Sequence, residues 1–147
     1  MKVLIDTNIV LDAIASREPF RKEAQKIIDL ILDNKLTGYI TANSITDIYY
    51  IARKYLEAEN LQKSMRSLFS IFSIIDVLEK DCRDALDYPI KDYEDALVIV
   101  CGSKAGMDFI ITRDLDFLKL YKTLIPVITP AELIKKIIPI QESPKKT

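Results

Sequence analysis

The chain has 147 residues, enough for one ordinary domain, and its 49% hydrophobic and 29% charged residues are the balance of a folded protein rather than a disordered one. Lysine plus arginine (21) against aspartate plus glutamate (22) leaves a formal net charge of -1, which excludes a globally basic nucleic-acid binder and leaves only local basic patches. There is no histidine, so imidazole bases, Ser-His-Asp triads and histidine-containing zinc sites are all excluded.

Val3-Leu4-Ile5 is a continuous apolar run with β-branched members, which predicts a strand buried on both faces. It ends at Asp6-Thr7-Asn8, all good helix caps, after which Ile9, Val10, Ala13 and Ile14 recur at helical spacing. Pro19 marks a second helix start, with Ala24, Ile27, Ile28, Ile31 and Leu32 as its apolar stripe. Gly38 marks a turn into a short strand at residues 39–41. Asn43 or Ser44 is the expected cap of the next helix, whose apolar face is Ile45, Ile48, Tyr49, Ala52, Tyr55 and Leu56. Leu61, Met65, Leu68 and Phe72 define another amphipathic helix, and the β-branched run at 73–77 predicts the third strand.

Residues 81–86 predict a short helix that stops before Pro89. Asp92 opens a helix that is apolar on most sides over 96–101, hence central, and Gly106 closes it. Residues 108–112 and 126–129 supply the fourth and fifth strands, and Pro130 starts a last helix through residue 138. Short apolar strands alternating with helices call for an α/β fold, a three-layer α/β/α sandwich around a mostly parallel five-stranded sheet. One domain is expected over residues 1–138, followed by a flexible C-terminal tail at 139–147.

Cys82 and Cys101 match no CxxC pattern and are expected as apolar fillers of a reduced, cytoplasmic protein. Asp6 interrupts the first apolar run too early for a signal peptide, and residues 96–101 fall far short of the roughly 20 needed to span a bilayer. No membrane association is expected.

In an open parallel sheet, ligands bind beyond the C-terminal strand ends, near the point where strand order reverses. Asp6 directly follows the first strand, and Thr112-Arg113-Asp114-Leu115-Asp116 follows the fourth. Asp92 and Asp95, at the start of the central helix, can be delivered to the same edge, while Asp47 interrupts an otherwise apolar helix. Each acid has a plainer explanation: a cap for Asp6, a capping pair for Asp92 and Asp95, a solvated residue at Asp47, turn formers at Asp114 and Asp116. Together they point further. Like charges about 5 Å apart repel by about 3 kcal/mol at an effective dielectric near 20, so a gathering of carboxylates calls for a cation. An all-oxygen set without His or Cys selects Mg²⁺ or Mn²⁺, and such an ion orients water and stabilises charge on a phosphoryl oxygen. The chemistry these residues suggest is phosphodiester hydrolysis.

Four segments, LIDTNIVLD, SITDIYYI, KDYEDALVI and FIITRDLDFL, carry a family resemblance. In this order, over residues 3 to about 129, they resemble PIN-domain ribonucleases, the group that includes VapC-type toxins. The resemblance implies a PIN-like α/β/α fold, an acidic cluster binding Mg²⁺ or Mn²⁺, and endonucleolytic cleavage of RNA. Carried over residue by residue, Asp6 is the first acid, Asp47 the second, Asp95 the third and Asp114 or Asp116 the fourth, with Asp116 preferred. Asp6, Asp47, Asp95 and Asp116 are then the expected catalytic acids, and Asp6, Asp95, Asp114 and Asp116 the expected metal ligands. Asn8 and Thr112 are the polar groups expected to support them. Two features depart from the pattern: the second acid is more often Glu, one methylene longer than Asp47, and Asp114 and Asp116 stand closer together than in many relatives.

The resemblance further implies a small antitoxin protein that blocks the site, and pairing as a homodimer. Candidates for RNA contact are Arg17, Arg21, Lys22, Arg53, Lys54 and Arg113, with Tyr49, Tyr50 and Tyr55 as rings for stacking; an ordinary solvated face, or core for Tyr49 and Tyr55, is the plainer reading. Among rivals, a haloacid-dehalogenase-like phosphatase needs D-x-D where this chain has Asp6-Thr7-Asn8, and a receiver module needs an acidic pair absent after the first strand. The remaining alternative is a catalytically inactive PIN-like module that binds RNA or protein, for which Asp47 in place of Glu is the one hint.

Overall fold

The computed structural model describes residues 1–120 and 124–139. Strands β1 (Lys2–Ile5), β2 (Thr37–Thr41), β3 (Ser73–Ile75), β4 (Phe109–Ile111) and β5 (Val127–Ile128) form one sheet in the order β3-β2-β1-β4-β5. Every strand pairing among the described residues is parallel, where a mostly parallel sheet was expected. The helices are α1 (Thr7–Ile14), α2 (Arg21–Leu32), α3 (Ala42–Ala52), α4 (Ala58–Ile71), α5 (Glu79–Asp87), α6 (Tyr93–Lys104), α7 (Leu115–Leu118) and α8 (Pro130–Ile137).

Alternation along the strands divides the core in two. Val3, Ile5, Ile40 and Ile111 pack with residues of α1 to α4 and with Leu133 of α8. Leu4, Ile75 and Ile110 point to the other face, where Ala85, the α6 residues Ala96, Leu97, Ile99 and Cys101, and Phe117 of α7 cover them. Burial on both faces explains why β1 and β4 read as unbroken apolar runs rather than as alternating ones. Cys101 is buried, Cys82 half-buried, and both are free thiols. No helix among the described residues is long and apolar enough to cross a membrane.

The strand order sets the position of the site. From β1 the chain builds outward through β2 to β3, then crosses back and places β4 on the opposite side of β1. The order therefore reverses between β1 and β4, which opens a crevice beyond their C-terminal ends. Val3, Leu4 and Ile5 stand opposite Phe109, Ile110 and Ile111, and the Asp6 amide donates to the Ile111 carbonyl at 2.9 Å. Asp6 and Thr112 thus leave the sheet side by side.

Several local expectations are corrected. Gly38 lies inside β2, where a methyl group would stand 2.4 Å from Ile31 Cδ1; the glycine lets α2 approach the sheet rather than making a turn. Leu32 is 58% exposed at the end of α2, and Leu30 takes the buried place. That helix starts at Arg21, past Pro19. Thr41 occupies the N-cap of α3, so Asn43 and Ser44 fall in its first turn, with the Ser44 hydroxyl 2.7 Å from that of Thr41. Tyr55 lies beyond the end of α3 and is exposed. The strand expected over 73–77 ends at Ile75, and α7 forms where only a turn was expected. Gly106 closes α6 with φ +73°, the left-handed conformation expected of it. Of the expected tail, residues 140–147 lie outside the described residues.

Candidate functional site

Asp6 stands at the mouth of the crevice as the N-cap of α1. Its Oδ1 accepts the Thr7 amide at 2.8 Å and its Oδ2 accepts the Thr112 hydroxyl at 2.7 Å. Thr112 is fully buried, and its Oγ1 also accepts the Asp114 amide at 3.0 Å. One hydroxyl therefore fixes the first acid and the loop that carries the fourth. Burial holds the Asp6 carboxyl above its usual range, with the Asp114 charge adding to the effect. The hydrogen bonds from Thr112 and Thr7 and the charge of Arg113 oppose that rise.

Helix α6 brings more acids to this edge. Asp92 caps it, accepting the Asp95 amide at 3.0 Å. The half-buried Asp95 carboxyl is pushed up to about 7, first by burial and then by the charges of Asp92, Asp6, Asp114 and Glu94. Asp114 caps α7 and accepts the Asp116 amide at 2.9 Å. Asp92, Asp95, Asp114 and Asp116 line one cavity of about 330 Å³ together with Ile90, Lys91 and Leu120. Asp114 acts electrostatically on both Asp6 and Asp95, whereas Asp116 shares the cavity wall.

Asp47 reaches this group by a different route. It is half-buried on α3, and its charge raises the carboxyl of Glu94, in the first turn of α6, after burial as the first cause and alongside Asp92 and Asp6. Sequence reasoning missed Glu94, although its signal was present: Asp92, Glu94 and Asp95 place three acids within four residues at the positive end of a buried helix.

Asn8, expected as a polar neighbour of the acids, is bonded to Arg17. Its backbone oxygen and Oδ1 accept from Arg17 Nη2 at 3.0 and 3.3 Å. Arg17 and Arg113, two of the expected RNA cations, both bind Asp12, a buried acid that the sequence reading also missed. Its signal was a lone charge inside the apolar run of α1. Arg21 and Lys22 line a separate groove of about 970 Å³ along α2, where Glu18, Glu23 and Asp29 mix charges of the opposite sign with them.

The donors gathered at the crevice are carboxylate and hydroxyl oxygens, which suits a hard divalent cation such as Mg²⁺ or Mn²⁺. Among the described residues, no three acidic or thiol side chains close into a finished ligating group. The fit lies in the donor chemistry and in the mutual repulsion of Asp6, Asp92, Asp95 and Asp114, which a cation would relieve.

The family model described as PIN domain matches residues 2–116. Ribonuclease VapC1 of Aquifex aeolicus (strain VF5) is 26% identical over 140 residues, which cover 92% of this chain and 94% of that protein. Among solved structures, VapBC2 from Rickettsia felis bound to a DNA fragment from its promoter superposes with a TM-score of 0.65 at 18% identity, covering 88% of this chain and 98% of that one. VapC20 of Mycobacterium tuberculosis, described as a toxin that cleaves the sarcin-ricin loop, gives a TM-score of 0.64 at 11% identity over 78% of this chain and 92% of its own. These two structures share the fold of this chain.

Proposed function

The chain belongs to the PIN-domain family, and from that premise we propose that it is a metal-dependent endoribonuclease, the toxin of a toxin–antitoxin pair. The observation that carries this reading is the crowding of acids at the strand-order reversal, where burial first, and then the charges of Asp92, Asp6, Asp114 and Glu94, lift the Asp95 carboxyl to about 7. Such crowding opposes folding and points to a site built for a cation and a reaction. The name of the VapC1 relative, a ribonuclease, supports RNA as the substrate.

In this proposal Asp6, Asp95 and Asp114 hold Mg²⁺ or Mn²⁺, with Asp116 at the rim. The charge that Asp114 places on both other acids favours it over Asp116 as the inner residue. The ion supplies charge neutralisation and Lewis acidity at a phosphoryl oxygen. Thr112 keeps Asp6 in one orientation by donating to Oδ2. Asp47 and Glu94, the first of which acts by its charge on the second, position the attacking water and take its proton, since the chain has no imidazole to do so. The water oxygen forms the new bond to phosphorus as the bond to the leaving sugar oxygen breaks, and solvent returns a proton to that oxygen.

The proposed nuclease unit is residues 1–138, working in the cytoplasm. The VapBC2 structure, a complex found on promoter DNA, supports a small antitoxin as partner; a homodimer belongs to the same proposal.

The test is incubation of purified protein with labelled single-stranded and structured RNAs in Mn²⁺, Mg²⁺ or EDTA, beside the Asp6→Asn variant. Cleavage that needs both the metal and Asp6 is expected, with a loss of about two to three orders of magnitude in the variant. Cleavage that persists in EDTA or in Asp6→Asn overturns the assignment. RNA binding without any cleavage would mark an inactive binding module instead.

A further inference from the structure

Two arginines beside the acidic crevice converge on one buried acid. Asp12, on α1, is 1% exposed. Arg17 donates Nε to Asp12 Oδ1 at 2.8 Å, and Arg113 donates Nε to Oδ2 at 2.7 Å and Nη2 to Oδ1 at 3.2 Å. The two arginine side chains keep 18% and 29% of their exposure. The guanidinium of Arg113 lies 3.8 Å from the centre of the Phe20 ring, and that of Arg17 lies 5.9 Å from the centre of Tyr55.

Burying a carboxylate costs several kcal/mol of desolvation, and one well-placed guanidinium neutralises its charge. A second leaves the group with a net charge of +1. That surplus stands at the mouth of the crevice: Arg113 directly follows Thr112 and its charge acts on Asp6, while Arg17 is bonded to Asn8, two residues from Asp6. A guanidinium carries five N–H donors. Among the described residues, Asp12 engages two of Arg113's, and Asp12 and Asn8 use only the Nε and Nη2 atoms of Arg17, so both keep donors for a ligand at the exposed rim. An acidic edge repels a polyanion, so a nuclease built on one needs cations held rigidly alongside. Guanidinium forks bind phosphate oxygens well, and rings beneath them limit their motion.

We propose that Asp12 is a positioning residue that holds Arg17 and Arg113 as a paired-guanidinium anchor for the phosphate backbone of RNA at the rim of the acidic crevice. The proposal rests on the ribonuclease reading. Asp12 touches no substrate; it acts by fixing two side chains that do.

The test combines RNA-binding titrations in EDTA at several salt concentrations with steady-state cleavage kinetics in Mn²⁺. Arg17→Gln and Arg113→Gln are each expected to weaken binding about tenfold, and to reduce the slope of log K against log salt by about 0.7, the value for one lost contact to a single strand. Arg113→Lys should keep the salt slope and lose kcat, because the charge remains and the fork does not. Asp12→Asn leaves both cations in place, so KM and salt slope should stay near wild type while kcat falls at least about tenfold. A mere structural staple would lower the folded fraction and leave the kcat and KM of the folded enzyme unchanged. If Asp12→Asn does not fold, the arginine variants decide. Wild-type affinity and salt slope in both Gln variants, with the parent active, overturn the anchor alone. A parent that neither binds nor cleaves RNA overturns the ribonuclease reading and the anchor together.

Discussion

The hydroxyl of Thr112 donates to Asp6 Oδ2 at 2.7 Å and so joins the ends of β1 and β4 across 106 residues of sequence. The same oxygen accepts the Asp114 amide at 3.0 Å. A hydroxyl serves both partners at one atom, since it carries a proton for the carboxylate and lone pairs for the amide.

Thr112→Val keeps the shape and removes both bonds. The Asp114 amide then loses its acceptor, and Asp6 loses the donor that sets its orientation. Stability should fall by about 1–3 kcal/mol, and RNA cleavage by about 10- to 100-fold if Asp6 is the proposed metal ligand, the range for a group that orients one. Thr112→Ser should stay close to wild type in both. Equal cleavage rates in the Val and Ser variants, measured at a temperature where both are folded, would remove Thr112 from the site.

Asp95 gives a pH dependence of definite sign. Its carboxyl is lifted from 3.8 to about 7 in the folded chain, first by burial and then by the neighbouring acids. Between those values the folded state holds a proton that the unfolded state has released, so stability falls as pH rises through this window. Asp95→Asn removes that dependence. In urea unfolding with EDTA present, the variant should gain about 1–3 kcal/mol over wild type at pH 8, the solvent-screened part of the shift, and little or nothing at pH 4. Parallel pH profiles for the two proteins would show that Asp95 carries no such load.

A divalent cation should reverse the same penalty. If Mn²⁺ or Mg²⁺ binds only the folded chain, a concentration about 100 times its Kd adds about 2.7 kcal/mol, or on the order of 5–10 °C in Tm for a domain of this size. EDTA should return the melting curve to its starting point. Asp6→Asn should blunt the response, because one of the proposed ligands becomes a neutral amide. A wild-type melting temperature indifferent to both ions would count against the acidic edge as their site.

The sequence carried this much because the sheet is buried on both faces. Val3-Leu4-Ile5 and Phe109-Ile110-Ile111 could satisfy two cores only as unbroken apolar runs, and acids at the ends of such strands stand out. What stayed hidden depends on contacts between distant elements. Gly38 signals a turn by itself and becomes a packing glycine only when Ile31 of α2 lies against it. Arg17 and Arg113 look like solvated cations until the crossing of α1 with the β4 loop delivers both to Asp12. Glu94, beside two better-placed aspartates, drew no notice because only the approach of α3 brings Asp47 into its field.

The approach of α3 to the start of α6 lets Asp47 and Glu94 share one role in the proposed site. The Glu94 carboxyl is raised by burial first, then by the charges of Asp47, Asp92 and Asp6, so the charge of Asp47 on α3 acts on Glu94 on α6. Asp47 is one methylene shorter than the Glu that the second acidic position more often carries, and in the proposed site Glu94 on α6 would make up the missing reach. Each of Asp47→Asn and Glu94→Gln should then lower cleavage by at least about tenfold, in the range for loss of a general base. If they act as one unit, the double variant should lose scarcely more than either single one, a coupling of about 0.5–3 kcal/mol in the cycle. Asp47→Glu, which restores the longer side chain, should make Glu94→Gln less damaging. Fully additive losses, or a Glu94→Gln variant as active as wild type, would leave Asp47 to work without it.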